Sequence, residues 1–302
     1  MTLLSGIFQQ QAFGLRFSSN REFSELSCST EQESGQPIEL KWGPTPVHLS
    51  EPYTVRGLYQ ANKHALLLSL PSVASYHVMR DSVVVSPCES ASDDAVRLFL
   101  FGSAIGALLH LNGVLALHGS AVRLKSGGAA VFTGNSTAGK STLAAALGQR
   151  GYMPIADDIA AIRFDEHGVA WVYPGLSRTK LWSDALRSLN FAPQALERVR
   201  DGIDKFILPV ETWQAPERLS HVYEITPREH GDVELRSLAG MDKIELLDRQ
   251  TYRRRFLDAL EAKGPHIRRL AQLASQVSVQ TIVRPRNRAT LVEMVDALEK
   301  GW

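Results

Sequence analysis

The pattern of apolar and polar positions changes character near residue 91. Before it, short apolar or alternating runs of strand length are separated by polar turns and prolines, which is typical of β structure. The runs read FGLRF, IELKW, ALLLSL, SYHVM and SVVVS. This pattern predicts a small N-terminal β-rich domain over residues 1–91.

Residues 92–112 predict a buried helix. Ser92 is a suitable N-cap, and the two carboxylates of Asp93 and Asp94 follow where a helix favours negative charge. The apolar stretch 98–109, LFLFGSAIGALL, is shorter than the roughly 18 residues of a membrane span. We therefore expect a core helix and no association with a membrane.

The segment that follows alternates between strand and helix signals. GVLALHGSAVRL, GGAAVFTG, TLAAALGQRG and MPIADD predict strand, strand, helix and strand, with RLKSGG as a hairpin turn and Gly151 ending the helix. Such an alternation is typical of α/β proteins. The predicted fold is therefore an α/β domain over residues 92–302 behind the β-rich domain.

The charge balance and the cysteine content exclude several classes of partner and site. The chain carries 33 basic and 32 acidic side chains, a formal charge of +1, so no global field draws it to nucleic acid or to an anionic membrane. Cys28 and Cys88 are the only two cysteines, and neither belongs to a metal or disulfide pattern. The first 13 residues lack the features of a secretory leader, and a cytoplasmic location is expected.

Residues 134–142, GNSTAGKST, match the phosphate-binding pattern G-x-x-x-x-G-K-[ST] between a predicted strand and a predicted helix. The glycines let backbone N–H groups approach an anion, Lys140 supplies charge to the β- and γ-phosphates, and Ser141 offers a hydroxyl to Mg²⁺. The alternative is a purely structural role, in which a glycine-rich turn caps a helix. The predicted ATP-binding residues are Gly134, Asn135, Ser136, Thr137, Ala138, Gly139, Lys140, Ser141 and Thr142.

Asp157 and Asp158 end the strand after the loop helix. Parallel pairing with the strand before the loop would bring both carboxylates beside the phosphates, so that one binds Mg²⁺ while the other accepts a proton. The alternative is a turn or cap pair before IAAIRF. His118 lies in an apolar strand and by itself is as well explained as a core histidine, but the hairpin would bring it to the loop end of the sheet.

Residues 118–158 resemble the core of the HPr kinase/phosphorylase family, in which a His-Gly strand, a phosphate-binding loop and an Ala-Asp-Asp strand end occur in this order. The resemblance implies a fold similar to that of phosphoenolpyruvate carboxykinase, and phosphorylation of a protein serine with ATP and Mg²⁺. It implies that Lys140, Ser141 and Thr142 bind phosphates and metal. It also implies that Asp157 is the general base, Asp158 a metal ligand or supporting acid, and His118 a partner of the acidic pair.

Departures from the family pattern point to a branch within it. The second acid- and arginine-containing signature of the bifunctional enzymes is absent, and YPGLSRTKLWS and DKFILPV are similar to the shorter HPr kinase-related proteins. That branch includes kinases that phosphorylate the C-terminal serine of lasso precursor peptides. Arg178 is predicted to stabilise the transferred phosphoryl group, with Lys180 and Lys205 as further candidates for holding phosphates or an acidic acceptor. Solvated loop charges are the alternative.

The sequence thus predicts a serine kinase acting on a peptide or protein, with the C-terminal serine of a lasso precursor as one acceptor. HPr as acceptor, a small-metabolite kinase and an ATP-sensing module without catalysis remain alternatives. The intact aspartate pair argues against the last, because a sensor needs only the loop. The oligomeric state stays open, a homo-oligomer included.

Overall fold

The computed structural model describes residues 7–29, 36–50, 53–199, 202–286 and 289–302. Residues 1–6, the start of the segment used above to argue against a leader, lie outside this range. The chain has a mixed α/β structure, and its contacts divide it into two compact units. The first unit comprises Met1–Leu115 and Arg253–His266, and the second comprises Ala116–Tyr252 and Ile267–Trp302.

The elements of the described residues are as follows in chain order. The strands are β1 Phe8–Ala12, β2 Leu15–Ser19, β3 Ser27–Cys28, β4 Ile38–Trp42, β5 Thr54–Arg56, β6 Tyr59–Ala61, β7 Ala65–Leu70, β8 Ala74–Met79, β9 Ser82–Pro87, β10 Leu115–Arg123, β11 Ala129–Thr133, β12 Met153–Ala156, β13 Ile159–Phe164, β14 Ala170–Tyr173, β15 Arg178–Trp182, β16 Glu197–Arg198, β17 Lys205–Pro209, β18 Glu217–Arg228, β19 Glu234–Ser237 and β20 Ser278–Pro285. The α-helices are α1 Asp93–Phe99, α2 Ile105–Leu111, α3 Lys140–Gln149, α4 Ser183–Ser188, α5 Gly240–Arg249, α6 Phe256–Ala259, α7 Lys263–Gln276 and α8 Leu291–Glu299. A π-helical turn, Leu100–Ala104, joins α1 to α2, and Pro193–Ala195 form a short 3-10 turn.

Strands β1 to β9 form one sheet in the first unit, in the order β3-β1-β2-β4-β9-β8-β7-β6-β5. Strand β4 pairs in parallel with both β2 and β9, and the other pairs in the sheet are antiparallel. Each of the five predicted runs contributes to a strand of this sheet. The described part of the N-terminal region is therefore rich in β structure.

The helical segment 93–111 begins as predicted, with the Ser92 side chain accepting a hydrogen bond from the Ala95 N–H. At 19 residues it is long and apolar enough to cross a bilayer, so the length argument from residues 98–109 was wrong. However, 72% of its most apolar window is buried inside the protein, as expected of a core helix.

The observed division of the chain differs from the predicted boundary at residue 91 in two respects. Helices α1 and α2 belong to the first unit, where the Tyr76 hydroxyl donates a 2.8 Å hydrogen bond to the Val96 carbonyl. Residues 253–266 also return to the first unit, where Phe256 packs edge-on against Tyr59 with ring centroids 4.9 Å apart. Local sequence patterns do not report such long-range packing.

In the second unit, strand β10 lies between β11 and β12 and is antiparallel to both. The predicted β10–β11 hairpin is confirmed, with Gly119 opposite Thr133. The predicted direct parallel pairing of β11 with β12 is wrong, because β10 lies between them and β11 pairs in parallel with β18 instead. Strands β11 and β12 still run in the same direction, so their carboxyl ends lie at one edge of the sheet.

Helix α3 packs its apolar face onto this sheet. Leu143 and Leu147 are fully buried, one helical turn apart, in a core shared with Phe132 and Tyr223, whose rings stack with centroids 5.7 Å apart. The helix ends as predicted at Gly151, which has a positive φ of 87°. Packing on the sheet thus holds α3 directly after the loop, and Gly151 determines where the helix ends.

Candidate functional site

The GNSTAGKST loop connects β11 to α3, as predicted. Gly134 has a φ of 137°, and a Cβ there would lie 2.8 Å from the Ile225 carbonyl oxygen, so only glycine fits. Gly139 is the N-cap of α3 with a left-handed φ of 104°. Residues 135–137 between them are exposed, so the loop presents its backbone at the N-terminus of the helix.

Lys140 turns its side chain back over the loop. Its Nζ donates to the carbonyl oxygens of Gly134, at 2.9 Å, and Asn135, at 3.1 Å, and the residue is only 8% exposed. Burial lowers the pKa of Lys140, against the opposing charges of Asp158 and Asp157. The ammonium is therefore held at the mouth of the loop, with two acidic side chains nearby.

Asp157 is buried and binds the loop helix directly. Its Oδ1 accepts hydrogen bonds from the hydroxyls of Ser141, at 2.8 Å, and Ser120, at 2.6 Å, and its Oδ2 accepts one from the Lys180 N–H, at 3.0 Å. Three donors from three elements thus hold one carboxylate. Sequence reasoning did not identify Ser120, although its place two residues after His118 puts both on one face of β10.

Asp158 is more open than Asp157, with a third of its side chain exposed. It has a left-handed φ of 70°, and its carbonyl oxygen lies 3.1 Å from Nδ1 of His118. Its carboxylate lies 3.6 Å from the same Nδ1 and 3.5 Å from Nζ of Lys180. Nδ1 faces two acceptors, so the proton of a neutral His118 belongs on Nδ1, which leaves Nε2 able to accept.

The protonation of this pair follows from its surroundings. Burial raises the pKa of Asp158, but the charges of Lys180, His118 and Lys205 outweigh burial and hold the pKa below its ordinary value. Burial and the charge of Lys140 lower the pKa of His118, against the effect of Asp158. At neutral pH the site therefore holds an ionised Asp158 beside a neutral histidine.

Basic residues border the acidic pair. Lys180 and Arg178 lie two positions apart on β15 and so share one face of that strand. Lys205 begins β17, which pairs with β15, and its charge acts on both Lys140 and Asp158. The described contacts thus bring Lys180 to the aspartates, whereas they place Arg178 only by its strand position.

Residues far along the chain support the loop, and sequence reasoning missed them. Gln250 accepts a hydrogen bond from the Gly134 N–H at 3.2 Å and donates one to Glu224 at 2.7 Å. Glu224 is paired in turn with Arg249. Arg284 donates through Nε and Nη2 to the Ala138 carbonyl, at 3.3 and 3.2 Å. These partners lie 116 and 146 residues from the loop positions they contact, so no local pattern could reveal them.

Trp213 and Trp182 both belong to the second unit. Trp213 lies under the Arg123 guanidinium, 4.3 Å from the ring centroid, at the end of β10 remote from His118. Trp182 ends β15 with 40% of its surface exposed. Only Trp182 therefore lies on a strand that borders the acidic pair.

Two oxygen ligands beside the loop are suited to a magnesium ion that is bound to nucleotide phosphates. The Ser141 hydroxyl and the Asp157 carboxylate, 2.8 Å apart, are oxygen ligands of the kind that Mg²⁺ takes together with phosphate oxygens. Among the described residues no three His, Cys, Asp or Glu side chains form a metal-binding group. A phosphate-bound Mg²⁺ needs only one or two carboxylates from the protein.

No protein-family model matches the chain, and no curated protein matches it. Among solved structures, the chain is similar to the Hpr(Ser) kinase/phosphatase from Coxiella burnetii, with 12% sequence identity and a TM-score of 0.32. The match covers 62% of this chain and 89% of that one. A similarity of this size indicates neither the activity nor the substrate of the chain.

Proposed function

We propose that the protein is an ATP- and Mg²⁺-dependent kinase of the HPr kinase-related type, which transfers the γ-phosphoryl group to a serine hydroxyl of a peptide or protein. One observation carries the proposal: a phosphate-binding loop whose serine contacts one buried aspartate, with a second, open aspartate at the next position. A loop alone would suffice for binding nucleotide. The second aspartate gives the site a group that can accept a proton.

The chain's own groups divide the work by position. Backbone N–H groups of the loop and Lys140 bind the phosphates, and Ser141 with Asp157 would hold the Mg²⁺ ion. The ion, when bound, neutralises charge on the phosphates. Arg178, two positions before Lys180 on β15, is proposed to stabilise the transferred group.

Proton acceptance fits Asp158 better than Asp157. Asp157 is 7% exposed and already accepts three hydrogen bonds, whereas a third of the Asp158 side chain is exposed. A general base must come within hydrogen-bond reach of the hydroxyl that it deprotonates. The geometry therefore favours Asp158 as base and Asp157 as metal ligand, the reverse of the division that the family resemblance implies.

His118 is proposed to hold Asp158 in place. Its Nδ1 lies near both the carbonyl and the carboxylate of that residue, so a neutral imidazole orients the carboxylate without neutralising it. Lys180 acts from the other side and favours the ionised form. Together they keep the proposed base charged and directed toward an acceptor.

Nucleotide binding and phosphoryl transfer are tested separately. The purified chain is titrated calorimetrically with a non-hydrolysable ATP analogue, with and without Mg²⁺. It is then incubated with ATP, Mg²⁺ and serine peptides, and the products are weighed by mass spectrometry. Saturable, Mg²⁺-dependent binding and the gain of one phosphate on serine support the proposal. Binding without transfer to any serine peptide, HPr or small hydroxyl metabolite would favour an ATP-sensing module instead.

A further inference from the structure

Gln250 is the residue at which the nucleotide loop and the His118 strand meet. It lies directly after α5, is 6% exposed, and belongs to neither the loop nor the acidic pair. Its side chain contacts the first residue of the loop, Gly134, and its main chain contacts His118. One residue thus touches both halves of the proposed active site.

Its partners fix the orientation of the side-chain amide. The Gly134 N–H can only donate, so it must face the amide oxygen, at 3.2 Å, while the Glu224 carboxylate must face the amide nitrogen, at 2.7 Å. Arg249 donates to the same carboxylate from Nε and Nη2, at 3.0 and 2.6 Å, and these two bonds fix the orientation of the Glu224 side chain. Donation therefore runs from Gly134 to Gln250 and from Gln250 to Glu224, and the Glu224 carboxylate also accepts from Arg249.

The main chain of Gln250 completes the link. Its carbonyl oxygen accepts a 2.7 Å hydrogen bond from the His118 N–H. Two residues on, the Tyr252 ring lies against the His118 ring, with centroids 5.7 Å apart. A shift of residue 250 would therefore move the base of the loop and the histidine beside Asp158 together.

We infer that Gln250 is a positioning residue, which sets the first glycine of the phosphate loop relative to His118 and so aligns bound nucleotide with the group that receives the acceptor's proton. The inference rests on the proposed function. A glutamine is needed because the position must donate on one side and accept on the other. Leucine supplies neither group, and an ionised glutamate supplies only the acceptor.

Two variants and one control test this. Gln250→Leu removes both side-chain bonds, and Gln250→Glu keeps the shape. Gln276 provides a control in the same unit, since its exposed amide bridges two backbone groups, donating to the Gly168 carbonyl at 2.7 Å and accepting from the Ala170 N–H at 3.0 Å. Gln276→Leu therefore also removes two amide hydrogen bonds, away from the loop and at an exposed position.

Loss of the two side-chain bonds of Gln250 should increase the mobility of the loop while the fold is retained. We expect amide hydrogen exchange at Gly134 to become about tenfold faster in Gln250→Leu, and binding of the non-hydrolysable ATP analogue with Mg²⁺ to weaken about tenfold. Gln276→Leu should leave both values at those of the wild type. Wild-type exchange at Gly134 and wild-type analogue binding in Gln250→Leu would overturn the inference.

The glutamate variant gives a readout that a merely structural role would not produce. A protonated carboxyl group both donates and accepts, as the amide does, so Gln250→Glu should approach wild-type kcat/KM at low pH and fall below it as the new group ionises. Glu224 favours protonation there, whereas Arg249, Lys140 and, when charged, His118 oppose it. A variant-to-wild-type ratio that does not change with pH would overturn the inference.

The outcomes also separate this inference from the proposed function. A wild-type chain that binds nucleotide but transfers no phosphate would refute the proposed function alone, and the exchange rate at Gly134 would still decide whether Gln250 holds the loop. A wild-type chain that transfers phosphate, with Gln250 variants that match it in binding, exchange and pH profile, would refute the inference alone.

Discussion

The Ser141 hydroxyl donates a 2.8 Å hydrogen bond to Oδ1 of Asp157, joining the start of α3 to the end of β12. The same oxygen accepts from Ser120 on β10, so three elements converge on one buried carboxylate. This arrangement commits Asp157 to the loop side of the site. Asp158, one residue later, lies beside His118 instead, which leaves it available for the proposed role of general base.

Lys140→Ala should remove most turnover without unfolding the protein. The side chain donates to two carbonyls of the loop, so its loss deletes a proposed phosphate ligand and leaves the ladder of the surrounding sheet intact. We expect the rate to fall on the order of 10²-fold to 10³-fold, the range seen when one preorganised donor is removed. Calorimetric titration with an ATP analogue, together with circular dichroism, checks both parts. Wild-type affinity combined with a wild-type rate would contradict the loop assignment.

The two aspartates should differ in phenotype. Asp157→Asn should raise the Mg²⁺ concentration needed for half-maximal rate, because it weakens the proposed metal ligand beside Ser141. Asp158→Asn should keep the wild-type Mg²⁺ dependence and lower kcat by roughly 10² to 10⁴, the range for a general base. Rates measured across a Mg²⁺ series distinguish the two. The opposite pairing of phenotypes would restore Asp157 as the base, and matching phenotypes would refute both divisions.

We expect acid to abolish the proposed phosphoryl transfer through His118. Burial and Lys140 hold the pKa of His118 below its ordinary value, so the ring is neutral at pH 7 and becomes charged only at lower pH. We therefore expect kcat/KM to fall as pH decreases through a pKa below about 6.5. His118→Asn, whose amide can replace Nδ1–H, should shift this acid limb to lower pH. An unchanged limb in the variant would exclude His118 as its origin.

The same shift predicts how stability depends on pH. The unfolded chain binds the His118 proton near pH 6.5, whereas the folded chain binds it only at lower pH. The free energy of unfolding should therefore decrease as pH falls from about 6.5 through the folded pKa. Urea denaturation of wild type and His118→Asn across this range measures the contribution, which should be smaller in the variant.

Peptides ending in serine are the expected acceptors. Lys180 and Lys205 border Asp158, so a serine that carries its own carboxylate would meet positive charge beside the proposed base. Mass spectrometry should show one added phosphate on such peptides, and little or none when the serine is replaced by alanine or the C-terminus is amidated. Efficient phosphorylation of HPr, with these peptides left unmodified, would refute this choice of branch.

Two glycines should respond to alanine with opposite signs. A Cβ at Gly119 would lie 2.4 Å from the Phe132 carbonyl oxygen in the β10–β11 hairpin, so Gly119→Ala should destabilise the fold by about 1–3 kcal/mol. Gly148, inside α3, has no atom within 4 Å of its Cβ position, so Gly148→Ala should stabilise by about 1 kcal/mol. Urea denaturation measures both. Destabilisation of equal size in both variants would contradict the steric argument.

Local patterns were sufficient for the elements that build the loop. Strands β11 and β12, helix α3, its stop at Gly151 and the hairpin containing His118 all follow from short runs of neighbouring residues. The expected roles of Gly139 and Lys140 in the loop also depend only on the residue type and on the adjacent backbone. This part of the architecture could therefore be predicted without any knowledge of distant contacts.

Contacts between distant segments could not be predicted. Nothing in β11 or β12 indicates that β10 lies between them, because strand order depends on which edges meet in the folded chain. Gln250 and Arg284 look like ordinary surface residues in sequence, yet both hold the loop. The role of each depends on partners more than a hundred residues away, which only the folded structure brings together.

The position of β10 between its two neighbours determines where the chain tolerates changes in length. His118 and Ser120 point the same way because they are two residues apart, so one residue inserted between His118 and Ser120 would turn one of them to the opposite face. The turn between Arg123 and Ala129 lies at the far end, and residues 125–127 are exposed. Extra residues there would leave the register at the loop end unchanged. A fluorescent or affinity label inserted in this turn would therefore report on the intact protein without disturbing its chemistry.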